Sequence, residues 1–174
     1  MVFLEDDDFF MSLAALTAKR SKDPVTQVGA CIVNEDGQMV SVGYNAMPVG
    51  CDDNCMPWDK TSTDRLETKY PYVCHAEMNA IVNAGNEQLN GCSMYVTLFP
   101  CNMCAKVLLK SGIRRVTYME DKPNKMEMKA SRRMLTLGHM ICEKFIPSRR
   151  QVNISFGNCS EALVGHLSQF KILE

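Results

Sequence analysis

The chain has 174 residues and a formal net charge of −1, with 46% hydrophobic and 22% charged residues. This length fits one compact globular domain that buries roughly two-thirds of its unfolded surface. The near-neutral charge without a Lys/Arg tract argues against duplex nucleic acid as a partner, and the lack of a long apolar run argues against a membrane span.

The first half of the chain has the pattern of a helix, a hairpin and a long loop. The stretch DDDFFMSLAALTAKRSKDP places apolar residues at helical spacing behind three aspartates, and Pro24 ends this predicted helix. VGACIVN and MVSVGYN are apolar runs on either side of an Asp-Gly turn, which predicts a β-hairpin. Residues 46–70 are irregular and polar, and a loop of that length in a compact domain is more often functional than idle.

Strands alternate with helices in the second half. After a helix that starts near His75, SMYVTLF predicts a buried strand and CNMCAKVLLKSG a helix that ends at Gly112. RRVTYM, KMEMKASRRMLTLG and MICEKFI predict a strand, a helix and a third buried strand. This alternation predicts an α/β sandwich with parallel pairs of strands. From about Ser148, QVNISF and EALVGHLSQF predict a strand and a helix packed on the outside.

The cysteines and the N-terminal stretch indicate a reducing compartment. The chain has nine cysteines, an odd number. Its first residues, MVFLEDDDFF, are acidic where a signal or transit peptide would be basic. Cysteines in such a protein are usually buried thiols or metal ligands rather than disulfides. We therefore expect a cytoplasmic protein.

Two short motifs lie at predicted helix starts. His75 and Glu77 are separated by one alanine, and positions two apart on a regular helix point to nearly opposite sides. The side chains of His75 and Glu77 can converge on one point only at the helix entrance, where the chain is just becoming helical. Cys101 and Cys104 follow Pro100 on the next predicted helix and face the same way. Two thiolates and one imidazole are three zinc ligands, and they leave the fourth position open for water, as in catalytic sites.

Each motif alone has an ordinary structural explanation. A Cys-x-x-Cys pair is as often redox-active or simply buried as metal-binding. A histidine at a helix start is more often a capping or core residue, and a glutamate in the first turn stabilises the helix dipole. Together, the motifs match the H-x-E…P-C-x-x-C pattern of zinc-dependent base deaminases. The other histidines, His139 and His166, are predicted in helices near the end of the chain.

The combined pattern predicts zinc bound by His75, Cys101 and Cys104, with Glu77 beside the metal rather than on it. Zinc brings the pKa of its water toward neutrality. Glu77 is predicted to take that water's proton, deliver it to the ring nitrogen next to the attacked carbon, and pass a second proton to the departing amine. The predicted reaction is hydrolytic deamination of an amino-pyrimidine or amino-purine.

Four longer blocks resemble one family. RSKDPVTQVGACIVN, VGYNAMPVGC, TKYPYVCHAEMNAI and GCSMYVTLFPCNMCAK, in this order, closely resemble the deoxycytidylate (dCMP) deaminases, and the likeness runs over residues 8–147. The resemblance implies a three-layer α/β/α sandwich with a mixed five-stranded sheet, in a single catalytic domain over residues 1–174 whose tail is residues 148–174. It implies a hydrolase that converts dCMP to dUMP for thymidylate synthesis with one zinc per chain. It also implies a homohexamer that dCTP activates and dTTP inhibits, with Mg²⁺ on the triphosphate effector.

The resemblance also implies roles for individual residues. His75, Cys101 and Cys104 are the zinc ligands and Glu77 is the proton shuttle. The remaining residues form two groups. The substrate-binding group consists of Ser21, Lys22 and Asn45. Asn45 holds the sugar, and Ser21 and Lys22 contact the 5′-phosphate. The effector-binding group is Ala46, Met47, Gly50, Asn79 and Asn83.

The chain departs from the family pattern at two places. Ala46 stands where the family has a glycine after Gly-Tyr-Asn, and it would weaken regulation if that glycine had positive φ. Relatives place a tyrosine near the base just after the fourth strand, where this chain reads MEDKPNK. A second zinc, seen in some relatives, is not expected. We interpret the cysteines that would bind it as free thiols: Cys51, Cys55 and Cys74.

Two alternatives remain at this stage. A deaminase of bases in tRNA or single-stranded DNA needs a cationic groove with aromatic side chains, whereas the 19 Lys/Arg are spread evenly and aromatics are 7% of the chain. A zinc-binding regulatory homologue without catalysis would have no use for Glu77 beside the metal. Free-nucleoside cytidine deaminases resemble the chain less, because they usually have a cysteine where His75 stands.

Overall fold

A mixed five-stranded sheet with helices on both faces forms the structure, a computed structural model that describes residues 3–149 and 151–154. The predicted three-layer α/β/α sandwich is confirmed. The elements in chain order are α1 (Asp6–Ala18), β1 (Gly29–Val33), β2 (Met39–Tyr44), a 3₁₀ turn (Arg65–Glu67), α2 (Ala76–Asn83), β3 (Ser93–Leu98), α3 (Asn102–Ser111), β4 (Arg115–Glu120), α4 (Met126–Leu137) and β5 (Ile141–Lys144).

The strands are ordered β2-β1-β3-β4-β5 across the sheet. β1 is antiparallel to both β2 and β3, while β3, β4 and β5 run parallel. The predicted hairpin is confirmed, and Gly37 in its turn has φ of 74°, a conformation that favours glycine. The parallel strands are joined through α3 and α4, since parallel neighbours need crossover connections. The starts of these connections face one end of the sheet, where the polar motifs lie.

The core has one part on each face of the sheet. Along β1, Cys31 and Val33 point toward α1 and its buried Phe10, whereas Ala30 and Ile32 point toward α2 and α3. This alternation is the period-2 pattern of a strand covered on both faces. Helices α2, α3 and α4 therefore share one layer, and α1 forms the other.

Helix α2 lies with its backbone directly against the edge strand β2. A β-carbon on Gly43 would stand 2.2 Å from the backbone nitrogen of Ala80 and 2.4 Å from the carbonyl oxygen of Ala76. Two side-chain amides reinforce this contact, because Asn79 Nδ2 donates to the Tyr44 carbonyl at 2.7 Å and Asn83 Nδ2 donates to the Val42 carbonyl at 2.9 Å. The start of α2 is thus held at a fixed place over the sheet.

The last predicted elements differ from the structure. β5 is an edge strand whose side chains are largely exposed, with Ile141 48% exposed and Cys142 alone packed on the core. The prediction of a third buried strand was wrong, because apolar composition does not distinguish a central strand from an edge strand. His139 lies in a turn after α4 with φ of 56°, not in a helix.

The C-terminal tail is described only in part. Residues 151–154 have no regular structure, so the predicted strand QVNISF is not formed in its described portion. The predicted helix EALVGHLSQF, with His166, lies outside the described residues. Within the described part of the chain, every helix is too short or too polar to cross a membrane.

Candidate active site and metal centre

Three metal-ligating side chains meet at the starts of two helices. His75 and Cys101 are the N-cap residues of α2 and α3, and Cys104 lies in the first turn of α3. His75 Nδ1 is 3.3 Å from Cys104 Sγ and 3.4 Å from Cys101 Sγ, and the two sulfurs are 3.7 Å apart. A tetrahedral zinc with bonds of about 2.3 Å to sulfur and about 2.0 Å to nitrogen needs S···S of about 3.8 Å and S···N of about 3.5 Å. The donor set therefore fits zinc.

The local sequence explains why the thiols are placed there. β3 ends at Leu98, and Cys101 follows Pro100 in an extended conformation with φ of −74° and ψ of 175°. Its sulfur therefore lies at a helix N-terminus, which stabilises thiolates. Hydrogen bonds from the Cys104 thiol and from His75 lower the pKa of Cys101 well below its usual range. The site thus favours the charged sulfur that a metal requires.

Glu77 lies beside this donor set, without being a member of it. His75 is extended, with φ of −73° and ψ of 157°, so the usual divergence of helical positions two apart does not apply. Glu77 is only 4% exposed and lines the same cavity as His75 and Cys101. Burial raises the pKa of its carboxyl group. A buried carboxyl group that both accepts and donates a proton suits acid–base catalysis.

A cavity of about 640 Å³ opens over these residues. Its walls come from the loop before β1, the end of β2, the long loop before α2, the end of β3 and the loop before α4. The polar and charged side chains that line it are Asp23, Thr26, Asn45, Lys60, Arg65, Lys69, Tyr70, His75, Glu77, Asn102, Lys122, Lys125 and Glu127. The long irregular loop, predicted to be functional, thus forms one wall of the cavity.

The predicted substrate residues are only partly brought to the cavity. Asn45 lines it, but Ser21 does not, and its buried hydroxyl donates to the Asn45 carbonyl at 2.7 Å. Lys22 is exposed and forms an ion pair with Asp53 at 2.8 Å, also away from the cavity lining. These contacts give Ser21 and Lys22 structural partners, and their predicted contact with the phosphate stays a prediction.

Sequence reasoning missed the cations that do line the cavity. Lys60 and Arg65 belong to the long loop, and Lys122 and Lys125 belong to the turn between β4 and α4. Among residues 3–149 and 151–154, none of the four has a carboxylate within ion-pair distance. Their sequence positions are too far apart to form a local pattern. Lys122 and Lys125 lie in the stretch MEDKPNK, where the only feature recognised from the sequence was the absence of the tyrosine that relatives have.

The predicted effector residues surround the end of β2. Ala46 pairs through its backbone with Cys74, Met47 is buried and Gly50 is exposed with φ of 89°. Asn79 and Asn83 donate to β2 carbonyls, which explains these poor helix formers without a ligand. Ala46 does not have positive φ, so its β-carbon introduces no backbone strain.

The remaining loop cysteines lie apart from the metal-ligating group. Cys51 and Cys55 are exposed, and Cys74 is half-buried next to His75 in sequence. Across the described ranges, one group of three or more potential ligands is close enough to share an ion, and it consists of His75, Cys101 and Cys104.

A three-layer α/β/α sandwich with a His-Cys-Cys donor set at two helix starts and a buried glutamate beside it defines a zinc-dependent base deaminase. A family profile described as the cytidine and deoxycytidylate deaminase zinc-binding region matches residues 4–120. The chain belongs to this cytidine and deoxycytidylate deaminase family.

Individual relatives agree with this membership. The chain is 49% identical over 155 residues to the deoxycytidylate deaminase of Homo sapiens, covering 88% of this chain and 87% of the relative. It is 33% identical over 127 residues to the deoxycytidylate deaminase of Mycobacterium phage D29, covering 66% of this chain and 94% of the relative. The structure of the cyanophage S-TIM5 dCMP deaminase in complex with dCMP and dUMP is similar, with a TM-score of 0.66, 25% identity, and coverage of 83% of this chain and 100% of that one.

Proposed function

We propose that the chain catalyses the hydrolytic deamination of dCMP to dUMP and ammonia, with one catalytic zinc. The observation that carries the proposal is the placement of Glu77 beside the His75, Cys101 and Cys104 donor set in one cavity. The human relative is named for this activity, and the cyanophage relative binds both the substrate and the product of this reaction.

The residues of this chain have separate roles in the reaction. His75, Cys101 and Cys104 would hold the zinc, which would supply a water that loses a proton near neutral pH. Glu77 accepts that proton and delivers it to the ring nitrogen beside the attacked carbon. It next accepts the second proton of the attacking water, from the hydroxyl group now on the ring carbon, and donates it to the amino group, which leaves as ammonia as the carbonyl forms. Glu77 is only 4% exposed, so its carboxyl group is shielded from bulk water and retains each proton between accepting and donating it.

The unpaired cations at the cavity are the proposed site of the 5′-phosphate. A nucleotide monophosphate is a dianion, and Lys60, Arg65, Lys122 and Lys125 offer charge without a competing carboxylate partner in the described residues. Charge-assisted hydrogen bonds to phosphate are roughly twice as strong as neutral ones. This assignment extends the predicted phosphate segment of Ser21 and Lys22 to side chains that line the cavity.

We expect kcat/KM for dCMP to exceed that for deoxycytidine by at least about 100-fold, because several charge-assisted hydrogen bonds to phosphate are worth a few kcal/mol together. The measurement follows the loss of cytosine absorbance with each substrate. The double variant Lys122→Met and Lys125→Met should lose most of this preference, while Lys129→Met, an exposed lysine of α4 outside the cavity, should retain it.

Two outcomes would count against these assignments. If the purified zinc-loaded protein does not convert dCMP to dUMP, the proposed function fails. If it converts both substrates with equal kcat/KM, the deaminase stands and the phosphate site fails. Conversion of a cytosine or adenine base in a single-stranded oligonucleotide, without conversion of dCMP, would favour the nucleic-acid alternative.

We also propose that the enzyme is a homohexamer, activated by dCTP and inhibited by dTTP, with Mg²⁺ on the effector. The short segment after β2 supports a route for coupling, because Asn45 lines the cavity while Ala46 is bonded to Cys74, next to His75. An effector that favours one conformation of this segment must bind better when the substrate favours the same conformation.

The dCMP saturation curve is expected to shift to lower dCMP concentrations with dCTP and to higher dCMP concentrations with dTTP. The coupling free energy should be roughly 1–3 kcal/mol. The negative φ of Ala46 removes the backbone strain that would have argued against regulation. Curves should be taken alone, with each effector and with each effector plus Mg²⁺. Superimposable hyperbolic curves would show that the chain retains the chemistry without the regulation.

The proposal also covers the cellular compartment and the domain organisation. We propose a single catalytic domain over residues 1–174 acting in the cytoplasm. The thiols of Cys51 and Cys55 are exposed and unpaired with each other, as a reducing compartment permits.

A further inference from the structure

We propose that a buried ion pair, Lys69 with Asp23, recognises the 3′-hydroxyl of the deoxyribose, an assignment that rests on the proposed function. Both residues line the cavity, yet the side chain of Lys69 is only 5% exposed and that of Asp23 only 2% exposed. Neither belongs to the substrate residues implied by the family resemblance. Charged groups are seldom buried this deeply unless they are paired, and this pair also borders the cavity, where a ligand can reach it.

The ammonium of Lys69 has hydrogen-bond donors that are not used within the described residues. An ammonium carries three N–H donors, and in the described residues Lys69 Nζ has one acceptor, the Oδ2 atom of Asp23. Two donors therefore remain on a nearly buried group that borders the cavity. Buried donors without acceptors cost free energy, so an oxygen atom of the bound substrate is a fitting partner.

The carboxylate of Asp23 is held rigidly by its neighbours. Its Oδ1 atom accepts from the backbone N–H groups of Val25 at 2.9 Å and Thr26 at 3.0 Å. Its Oδ2 atom accepts from Lys69 and from Asn45 Nδ2, the latter at 3.1 Å. Four donors fix this carboxylate in one orientation, and it in turn fixes the ammonium at the cavity wall.

Asn45 cannot supply the same donors, although the resemblance gives it the sugar. Its Nδ2 group donates to Asp23 and to the Thr26 carbonyl at 3.0 Å, so both amide hydrogens are used. Its Oδ1 atom already accepts from the Val28 N–H at 2.8 Å. Asn45 therefore positions Asp23, and Lys69 carries the free charged donors at this wall.

Charge distinguishes which part of the nucleotide this pair fits. Lys69 and Asp23 together are neutral, and the carboxylate would repel a phosphate dianion placed against it. A hydroxyl is neutral and can accept a hydrogen bond from the ammonium while it donates one to the carboxylate. The unpaired cations of the cavity, Lys60, Arg65, Lys122 and Lys125, suit the phosphate instead.

The test compares dCMP with 2′,3′-dideoxycytidine 5′-monophosphate, which lacks only the 3′-hydroxyl. The wild-type enzyme should prefer dCMP by roughly 10- to 100-fold in kcat/KM, the range for a hydrogen bond to a charged group. Lys69→Met should reduce this preference by at least about threefold, because the 3′-hydroxyl then loses the ammonium donor and retains only the Asp23 carboxylate. The exposed Lys110→Met, in the last turn of α3, should retain the wild-type preference.

The ratio separates recognition from damage to the fold. Any loss of folded or zinc-loaded enzyme lowers both rates equally and leaves their ratio unchanged. Since Lys69→Met leaves a buried carboxylate unpaired, the double variant Asp23→Asn with Lys69→Met provides a second, uncharged test, and it should reduce the preference at least as much as Lys69→Met does.

The alternatives give different results. A wild-type enzyme with no preference, or Lys69 variants that retain the wild-type preference, would overturn the assignment. A loss confined to the dCMP-over-deoxycytidine preference would move Lys69 to the phosphate and would also overturn it. Failure of the wild type to deaminate dCMP at all would instead refute the proposed function.

Discussion

Glu77→Gln is expected to retain zinc and to lower kcat for dCMP by at least about 100-fold, because general acid–base catalysis contributes roughly 10²- to 10⁴-fold. Glutamine has the same shape, so the cavity wall and the helix start are preserved. Its amide can neither accept the water's proton nor return one to the ring nitrogen and the leaving amine. Steady-state turnover of dCMP and metal content should be measured on the same preparation.

The exposed Glu87→Gln is the matched control, since Glu87 lies just beyond α2 and outside the cavity. It should retain wild-type turnover and zinc. A Glu77→Gln enzyme that keeps more than about a hundredth of the wild-type rate would show that another group moves the protons. Loss of zinc from this variant would instead place Glu77 on the metal.

Cys104→Ala is expected to lose the metal and to reduce turnover by at least about 1,000-fold, because zinc lowers the pKa of a bound water to about 7. Cys104 is fully buried and contributes one of the two sulfurs of the donor set. The wild type should contain one zinc per chain by elemental analysis. The variant should contain none after dialysis.

Cys31→Ala provides the comparison for this loss. Cys31 is equally buried but faces α1 on the opposite side of the sheet. Its replacement removes a buried sulfur and leaves the donor set intact, so zinc content should stay at one per chain. If Cys104→Ala still bound a full equivalent of zinc, or if the wild type held two, the three-ligand site would be incorrect.

The parts of the fold that sequence predicts well are those with a local cause. The hairpin follows from two apolar runs around Asp36 and Gly37, and α3 follows from Pro100 at its start and Gly112 at its end. The donor set was also predictable, because His75 and the cysteines lie at helix starts that the local pattern locates. The exposed edge position of β5 was not predictable, since edge and central strands can share the same composition.

The residues around the substrate depend on long-range placement. Lys69 meets Asp23 across 46 positions of the chain, and nothing near either residue indicates a partner. Lys22 lies close to Asp23 in sequence, but its side chain turns to Asp53 on the surface. Loops carry these side chains, and loop paths follow from tertiary contacts rather than from a repeating local pattern.

The backbone contact at Gly43 makes three positions depend on one another in evolution. A residue larger than glycine at position 43 requires the helix to move outward, because the backbone of Ala76 and Ala80 lies so close. Ala76 and Ala80 are fully buried, so a larger side chain at either position also requires a rearrangement. Since His75 and Glu77 are carried on the first turn of this helix, that movement would also displace the catalytic groups. Substitutions here should therefore show strong epistasis, with tolerated changes arising as compensating sets rather than one at a time.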